Sequence, residues 1–214
     1  MRGRSFVDAL LALLFPDRCA GCRRLGALLC AGCQAALLPY PADGRQPPPG
    51  LADVRIAFTY QSPLREAIHE LKYRRVRRMA RPLGALLAAH VSACPPAVDA
   101  VLAIPLHASR LAERGFNQAD ALAREVAASL RLPVIDQGLV RVRSTEQQAR
   151  LDARGRAENM RGAFAWPIGT PPPRLLLVDD VYTTGATMGA CAEALIDAGA
   201  TAVHGLALAR SRLD

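Results

Sequence analysis

Apolar positions along the chain fall into runs of two kinds. Val54–Tyr60 has strand character. Ser62 and Pro63 open a helix, a cap residue followed by proline in the first turn, and Leu64, Ile68 and Leu71 then recur at helical spacing. A second apolar helix covers Leu83–Val91. Val98–Ile104 is almost wholly apolar and stops at Pro105, as a buried parallel strand does. A loop, a helix over Asn117–Leu130 and short strands within Val134–Val142 follow. Arg143–Ala163 is polar and arginine-rich, and reads as a long loop. Leu175–Val178 is a buried strand, Thr187–Ala198 a helix closed by Gly199, and Thr201–Ala209 a strand. Strand, crossover helix and parallel strand together predict an α/β fold, a parallel sheet flanked by helices.

Proline and cysteine punctuate the remainder. Residues 17–40 hold four cysteines, and 41–52 form a linker containing Pro41, Pro47, Pro48 and Pro49. The α/β domain then occupies 53–214. Residues 1–16 carry early arginines and a short leucine-rich run. Asp8 interrupts that run, and Pro16-Asp17-Arg18 lacks the small residues of a signal cleavage site. The segment therefore reads as a docking helix and the protein as cytoplasmic. No run approaches the ~20 apolar residues of a membrane span.

With 214 residues, 51% of them hydrophobic, the chain can bury a substantial core and is not wholly disordered. Its net charge is +8, and Lys72 is the only lysine among 27 basic residues. An arginine-rich surface suits phosphate-bearing partners, because guanidinium grips phosphate through two parallel hydrogen bonds. The densest basic run is Lys72, Arg74, Arg75, Arg77 and Arg78, with Arg81 close by. It fits either single-stranded nucleic-acid phosphates or a solvated helix end.

The four clustered cysteines are Cys19-x-x-Cys22 and Cys30-x-x-Cys33, seven residues apart. Each pair can set two thiolates on one ion, and four ligands close a tetrahedral structural zinc site with no open position for catalysis. Two redox pairs, or simply buried cysteines, are the other readings of the same spacing.

The most informative segment is Leu175-Leu-Leu-Val-Asp179-Asp180-Val-Tyr-Thr183-Thr184-Gly185-Ala186-Thr187. A buried strand is expected to project Asp179 and Asp180 into the crevice at the carboxyl edge of the sheet. The turn behind them offers backbone N–H groups at a helix N-terminus, hydroxyls from Thr183, Thr184 and Thr187, and a Gly185 that permits close approach. That combination cradles phosphate. A phosphate site beside two carboxylates suits a sugar phosphate. An acidic strand end followed by an ordinary capped helix is the plainer alternative.

This loop resembles the 5-phosphoribosyl-1-pyrophosphate (PRPP) motif of type I phosphoribosyltransferases. The whole chain resembles the ComF/GntX, or competence protein F-like, family. The residues that carry this likeness are the four-cysteine module after Leu14-Phe15-Pro16, Ala103-Ile-Pro105-Leu-His107, and Arg110-Leu-x-Glu-Arg114-Gly-Phe-Asn117-Gln118. To these are added Thr145-x-x-Gln148, Arg156-x-x-Asn159-Met, Gly162-Ala-Phe164 and the Val-Asp-Asp loop. The resemblance implies a type I phosphoribosyltransferase-like sheet. It gives Asp179 and Asp180 to the ribose hydroxyls, directly or through Mg²⁺, and Thr183, Thr184, Gly185, Ala186 and Thr187 to the 5′-phosphate. Leu106, Arg110 and Arg114 would face the pyrophosphate, and Ser144–Arg161, with Arg150, Arg154 and Arg156, would form a lid.

Two functions follow from the likeness. One is an enzyme that transfers phosphoribosyl from PRPP to an unidentified nitrogenous acceptor. The other is an accessory protein of DNA uptake, or of the use of external DNA, that binds nucleotide or single-stranded DNA without turnover.

Overall fold

The structure, a computed structural model, describes residues 16–41, 44–73, 76–143 and 160–211. The expected docking helix lies outside them except for Pro16. So do Arg74, Arg75 and the lid positions from Ser144 to Asn159.

Four parallel strands form the central sheet: β1 (Asp53–Thr59), β2 (Ala100–Ala103), β5 (Arg174–Tyr182) and β6 (Ala202–Arg210), in the order β1-β6-β5-β2. Short α1 (Ala31–Ala35) lies in the cysteine module. Helices α2 (Leu64–Tyr73), α3 (Ala80–Ser92), α4 (Ala108–Arg114), α5 (Gln118–Leu130) and α6 (Ala186–Asp197) complete the frame. Two short antiparallel strands, β3 (Val140–Arg141) and β4 (Phe164–Ala165), flank it.

Strand alternation splits the core in two. Leu176 and Val178 of β5 face α2, α3 and α5, joining Leu64, Ile68, Leu83, Leu87 and Leu122. Leu175 and Leu177 face α6 and β4, joining Cys191, Leu195 and Phe164. Each fully buried leucine contributes about 2 kcal/mol relative to exposure. The apolar runs of the sequence are therefore strands covered on both faces, as parallel sheets require.

Three departures from the sequence reading matter to the site. First, β5 runs four residues past the apolar segment, because β6 continues to pair with it up to Tyr182↔Arg210. Second, the loop expected after β2 contains α4. His107 caps it by accepting from the Ser109 N–H at 3.3 Å, and Gly115 closes it at φ 76°. Third, the cysteine module docks onto the domain. Cys19, Ala20, Leu29 and Leu37 are buried in the same cluster as α2 and α3. The proline segment also lies against α6, since a Cβ on Gly189 would sit 2.9 Å from Pro48.

Candidate functional site

The pairing of β2 with β5 ends at Ala103↔Val178, whereas β6 accompanies β5 to Tyr182. Asp179 and Asp180 thus lie just past the point where one neighbouring strand stops. The alternation of β5 breaks there: Val181 packs on the α2 side and Tyr182 on the α6 side. Behind them the chain turns through Thr183 and Thr184, and Gly185 caps α6 at φ 82°. A Cβ at Gly185 would meet Tyr182 Oη at 2.2 Å and Pro48 Cγ at 2.7 Å, so both space and dihedral demand glycine. Thr183 is exposed, and Thr184, Ala186 and Thr187 are half-buried, so the turn is open to solvent. Thr184 Oγ1 accepts from the Ala186 N–H at 3.4 Å.

The two carboxylates have different environments. Asp179 is half-buried, and its Oδ1 accepts the Asp180 N–H at 2.8 Å. Burial, then the neighbouring Asp180 charge, push its pKa up to about 7. The sequence reading put both acids in the crevice. The structure instead turns Asp180 into the interior, 3% exposed, with Oδ2 at 2.9 Å from Lys72 Nζ. Burial alone would lower the Lys72 pKa, but the Asp180 and Asp179 charges outweigh it and raise the pKa. Removing one partner of such a buried pair costs about 3–5 kcal/mol, because the other charge is left unpaired.

Lys72 is the site residue that sequence reasoning missed. Its place in the basic run groups it with the arginines after it, but it continues the buried stripe of α2: Leu64, Ile68 and Lys72 recur every four residues. On the opposing strand Leu176, Val178 and Asp180 recur every two. The two periodicities bring the polar ends of both stripes together. The available signal was a lone lysine at a core-stripe position in a chain that otherwise uses arginine.

The remaining candidates divide. Arg114 lies in this neighbourhood: its guanidinium stands 5.3 Å over the Tyr73 ring, and its charge opposes that of Lys72. Arg110, one turn earlier, instead meets Glu113 at 3.6 Å on its own helix. Leu106 is half-buried in the segment between β2 and α4. Asn117 caps α5 through the Ala119 N–H at 3.0 Å and donates to the Ile104 carbonyl at 2.9 Å, which fixes the exit from β2.

Beside the threonine turn opens a cleft of about 770 Å³. Thr184 and Ala186 reach it from the turn, and Arg45, Arg55, Arg161 and Arg210 line it. Arg210 is buried between the rings of Tyr40 (5.5 Å) and Tyr182 (5.0 Å). Neither acid nor Lys72 lines the cleft, so the turn is what joins it to the acidic doublet.

In the cysteine module the four Sγ atoms lie within 4.8 Å of one another, with Cys22 and Cys30 at 3.6 Å. This is a cluster of four cysteines whose sulfurs could hold one metal ion. Burial pushes the Cys19 thiol upward, but the Cys30, Cys22 and Gly21 N–H groups outweigh it and lower its pKa to about 6. Burial and the surrounding thiols push Cys33 to about 12.

No family model matches the chain. Curated relatives do. It is 33% identical over 202 residues to the DNA utilization protein YhgH of Salmonella typhi, covering 90% of this chain and 88% of that one. The chain belongs to the competence protein F-like (ComF/GntX) family. It is also 29% identical to competence protein F of Haemophilus influenzae, across 92% of this chain and 98% of that one. Among solved structures, an adenine phosphoribosyltransferase from Leishmania donovani aligns with 63% of this chain and 54% of its own, at 17% identity and a TM-score of 0.35. No helix among the described residues is long and apolar enough to cross a membrane.

Proposed function

We propose that this ComF/GntX member is a phosphoribosyltransferase-like protein that binds PRPP or a related ribose phosphate at the Thr183–Thr187 turn. It then transfers phosphoribosyl to a nitrogenous acceptor. The observation that carries the reading is the left-handed Gly185 capping α6 beside the exposed Thr183 and half-buried Thr184 and Thr187, directly after a carboxylate doublet on a strand end. Helix-end N–H groups and hydroxyls take the 5′-phosphate, and Asp179 receives the ribose diol. In the transfer, the acceptor nitrogen's lone pair bonds to C1 while the C1–O bond breaks. Pyrophosphate leaves with that electron pair, and the nitrogen gives up a proton to solvent. Arg114, over Tyr73 and near Lys72, supplies positive charge to the pyrophosphate in this reading, so positioning and electrostatics dominate the proposed catalysis.

Magnesium does not fit at the doublet. The ion keeps several waters in an octahedral shell at ~2.0–2.1 Å, whereas Asp180 is buried and already faces an ammonium group. No step of the proposed transfer runs through a metal at this carboxylate. Zinc does fit the cysteine cluster. Tetrahedral Zn–S bonds of ~2.3 Å place sulfurs about 3.8 Å apart, close to the 3.6 Å between Cys22 and Cys30. Its role there is structural.

A second reading is that of an accessory protein of DNA uptake, one that binds nucleotide or single-stranded DNA without turnover. The names of the relatives support it, and so does the cleft, which among the described residues is lined by four arginines and one acid, Glu193. Pyrophosphate release separates the two. A panel of purines, pyrimidines and amines is added with PRPP. Release that depends on one acceptor supports transfer, and PRPP binding with no release from any of them favours the accessory role.

A further inference from the structure

We propose that the Lys72 ammonium is the resident cation of the acidic doublet. It fills the place at Asp180 that a divalent metal would need, so the doublet meets its ligand without a metal of its own. This deepens the ribose-phosphate reading, on which it rests for the ligand alone.

The placement is built by the fold. Lys72 ends the Leu64–Ile68 stripe of α2, and Asp180 ends the Leu176–Val178 stripe of β5. Both stripes pack in one core cluster, so the pair is fixed by burial on two sides. The two side chains are only 17% and 4% exposed, and Nζ to Oδ2 is 2.9 Å. Asp180 Oδ2 has no hydrogen-bond partner among the described residues, so its charge is met by the ion pair with Lys72 alone. A metal approaching this oxygen would have to displace the ammonium and bring its waters into a buried pocket.

Residue choice points the same way. Every other basic residue of the chain is arginine. A guanidinium is a rigid planar fork that best matches two oxygens of one partner. An ammonium is a compact charge with three donors on a flexible stem. Here the ammonium pairs with one carboxylate oxygen at 2.9 Å, and its N–H groups stay available to an oxygen of the ligand. Arg114 adds a second positive charge nearby, with its guanidinium over Tyr73. Lys72 thus serves both carboxylates, paired with Asp180 and within charge range of Asp179, which reduces the negative charge that would attract a metal.

Because Lys72 is the sole lysine, ¹⁵N-lysine labelling of the full zinc-loaded chain gives a single side-chain NH₃⁺ resonance. Mn²⁺ at one equivalent, without any ribose phosphate, serves as a paramagnetic probe. The expected result is a resonance that stays sharp. Loss of the signal at stoichiometric Mn²⁺ would overturn the proposal, because it would place a metal beside the ammonium. A second arm uses Lys72→Met, expected to bind one Mn²⁺ at least about tenfold more tightly than the native chain. Lys72→Met combined with Asp180→Asn is expected to lose that site again. A folded Lys72→Met that gains no Mn²⁺ also overturns the proposal, and if that variant does not fold, the native resonance decides alone. Neither arm contains ribose phosphate, so a failure to bind PRPP would end the ribose-phosphate reading without altering these outcomes.

Discussion

Arg78 holds Asp17 through two hydrogen bonds, 2.8 and 3.2 Å long, and so links the entry to α3 with the start of the cysteine module. The Arg78 side chain is 72% exposed, so this pair contributes at most about 1 kcal/mol. What anchors the module is the burial of Cys19, Ala20, Leu29 and Leu37 in the main core. Loss of the metal should therefore loosen the whole domain. Cys30→Ser is expected to lower stability by roughly 3 kcal/mol or more, about 6–12 °C in Tm. Arg78→Ala should move Tm by no more than about 4 °C. Calorimetric melts of both variants check this, and a Cys30→Ser melt matching the native one would show that the module is energetically separate.

Gly185→Ala adds a Cβ against Tyr182 Oη, at a φ that L side chains rarely adopt. The expected cost is about 1–3 kcal/mol of stability. Ribose 5-phosphate affinity should fall by more than about tenfold, because the N–H groups of the turn shift. Ligand titration on the folded variant measures this. Unchanged affinity would move the phosphate site away from the turn.

Asp179 has a sign-definite pH signature. Its folded pKa is pushed up to about 7, against about 3.9 for an unfolded aspartate. Between those values the folded chain keeps a proton that the unfolded chain has released, so this group lowers stability as pH rises from about 4 to about 7. Asp179→Asn removes that slope. Its Tm relative to the native chain should therefore climb between pH 5 and pH 7.5. A difference that stays flat or falls would show that Asp179 ionises normally.

The parallel sheet, its crossover helices and the cysteine cluster were legible because each has a local period or spacing. Leu175–Val178 reads as a buried strand and lies within β5, and Thr201–Ala209 reads as a strand and matches β6 to within one residue at each end. The continuation of β5 to Tyr182 was not legible. The acids at its end have poor strand propensity, and only pairing with β6 holds them extended. Likewise α4 depends on a cap made by His107 and a left-handed Gly115, a signal seven residues long. The threonine turn was legible as a motif, whereas the different environments of Asp179 and Asp180 depend on a contact with Lys72 far away in sequence. The proline segment read as a linker because composition alone cannot show that Pro48 packs on Gly185 and Gly189.

The basic run after Lys72 is partly used within the fold. Arg77 donates to the Gly115 carbonyl and stands 4.8 Å over Phe116, and Arg78 is held by Asp17. Neutralising Arg77 and Arg78 should therefore leave the salt dependence of single-stranded DNA binding nearly unchanged. Neutralising Arg45 and Arg161 in the cleft should lower the slope by about 0.7 per lost phosphate contact. Fluorescence titrations at several salt concentrations distinguish these sets, and the reverse pattern would put the nucleic-acid surface on the basic run.

The most direct measurement is calorimetric titration of the full chain with PRPP, and with ribose 5-phosphate, beside the Asp179→Asn and Gly185→Ala variants. The expected result is one ligand per native chain and binding at least about tenfold weaker in both variants. Native protein that takes up neither ligand, or variants that bind as tightly as the native chain, would contradict a ribose-phosphate site at the acidic doublet and threonine turn.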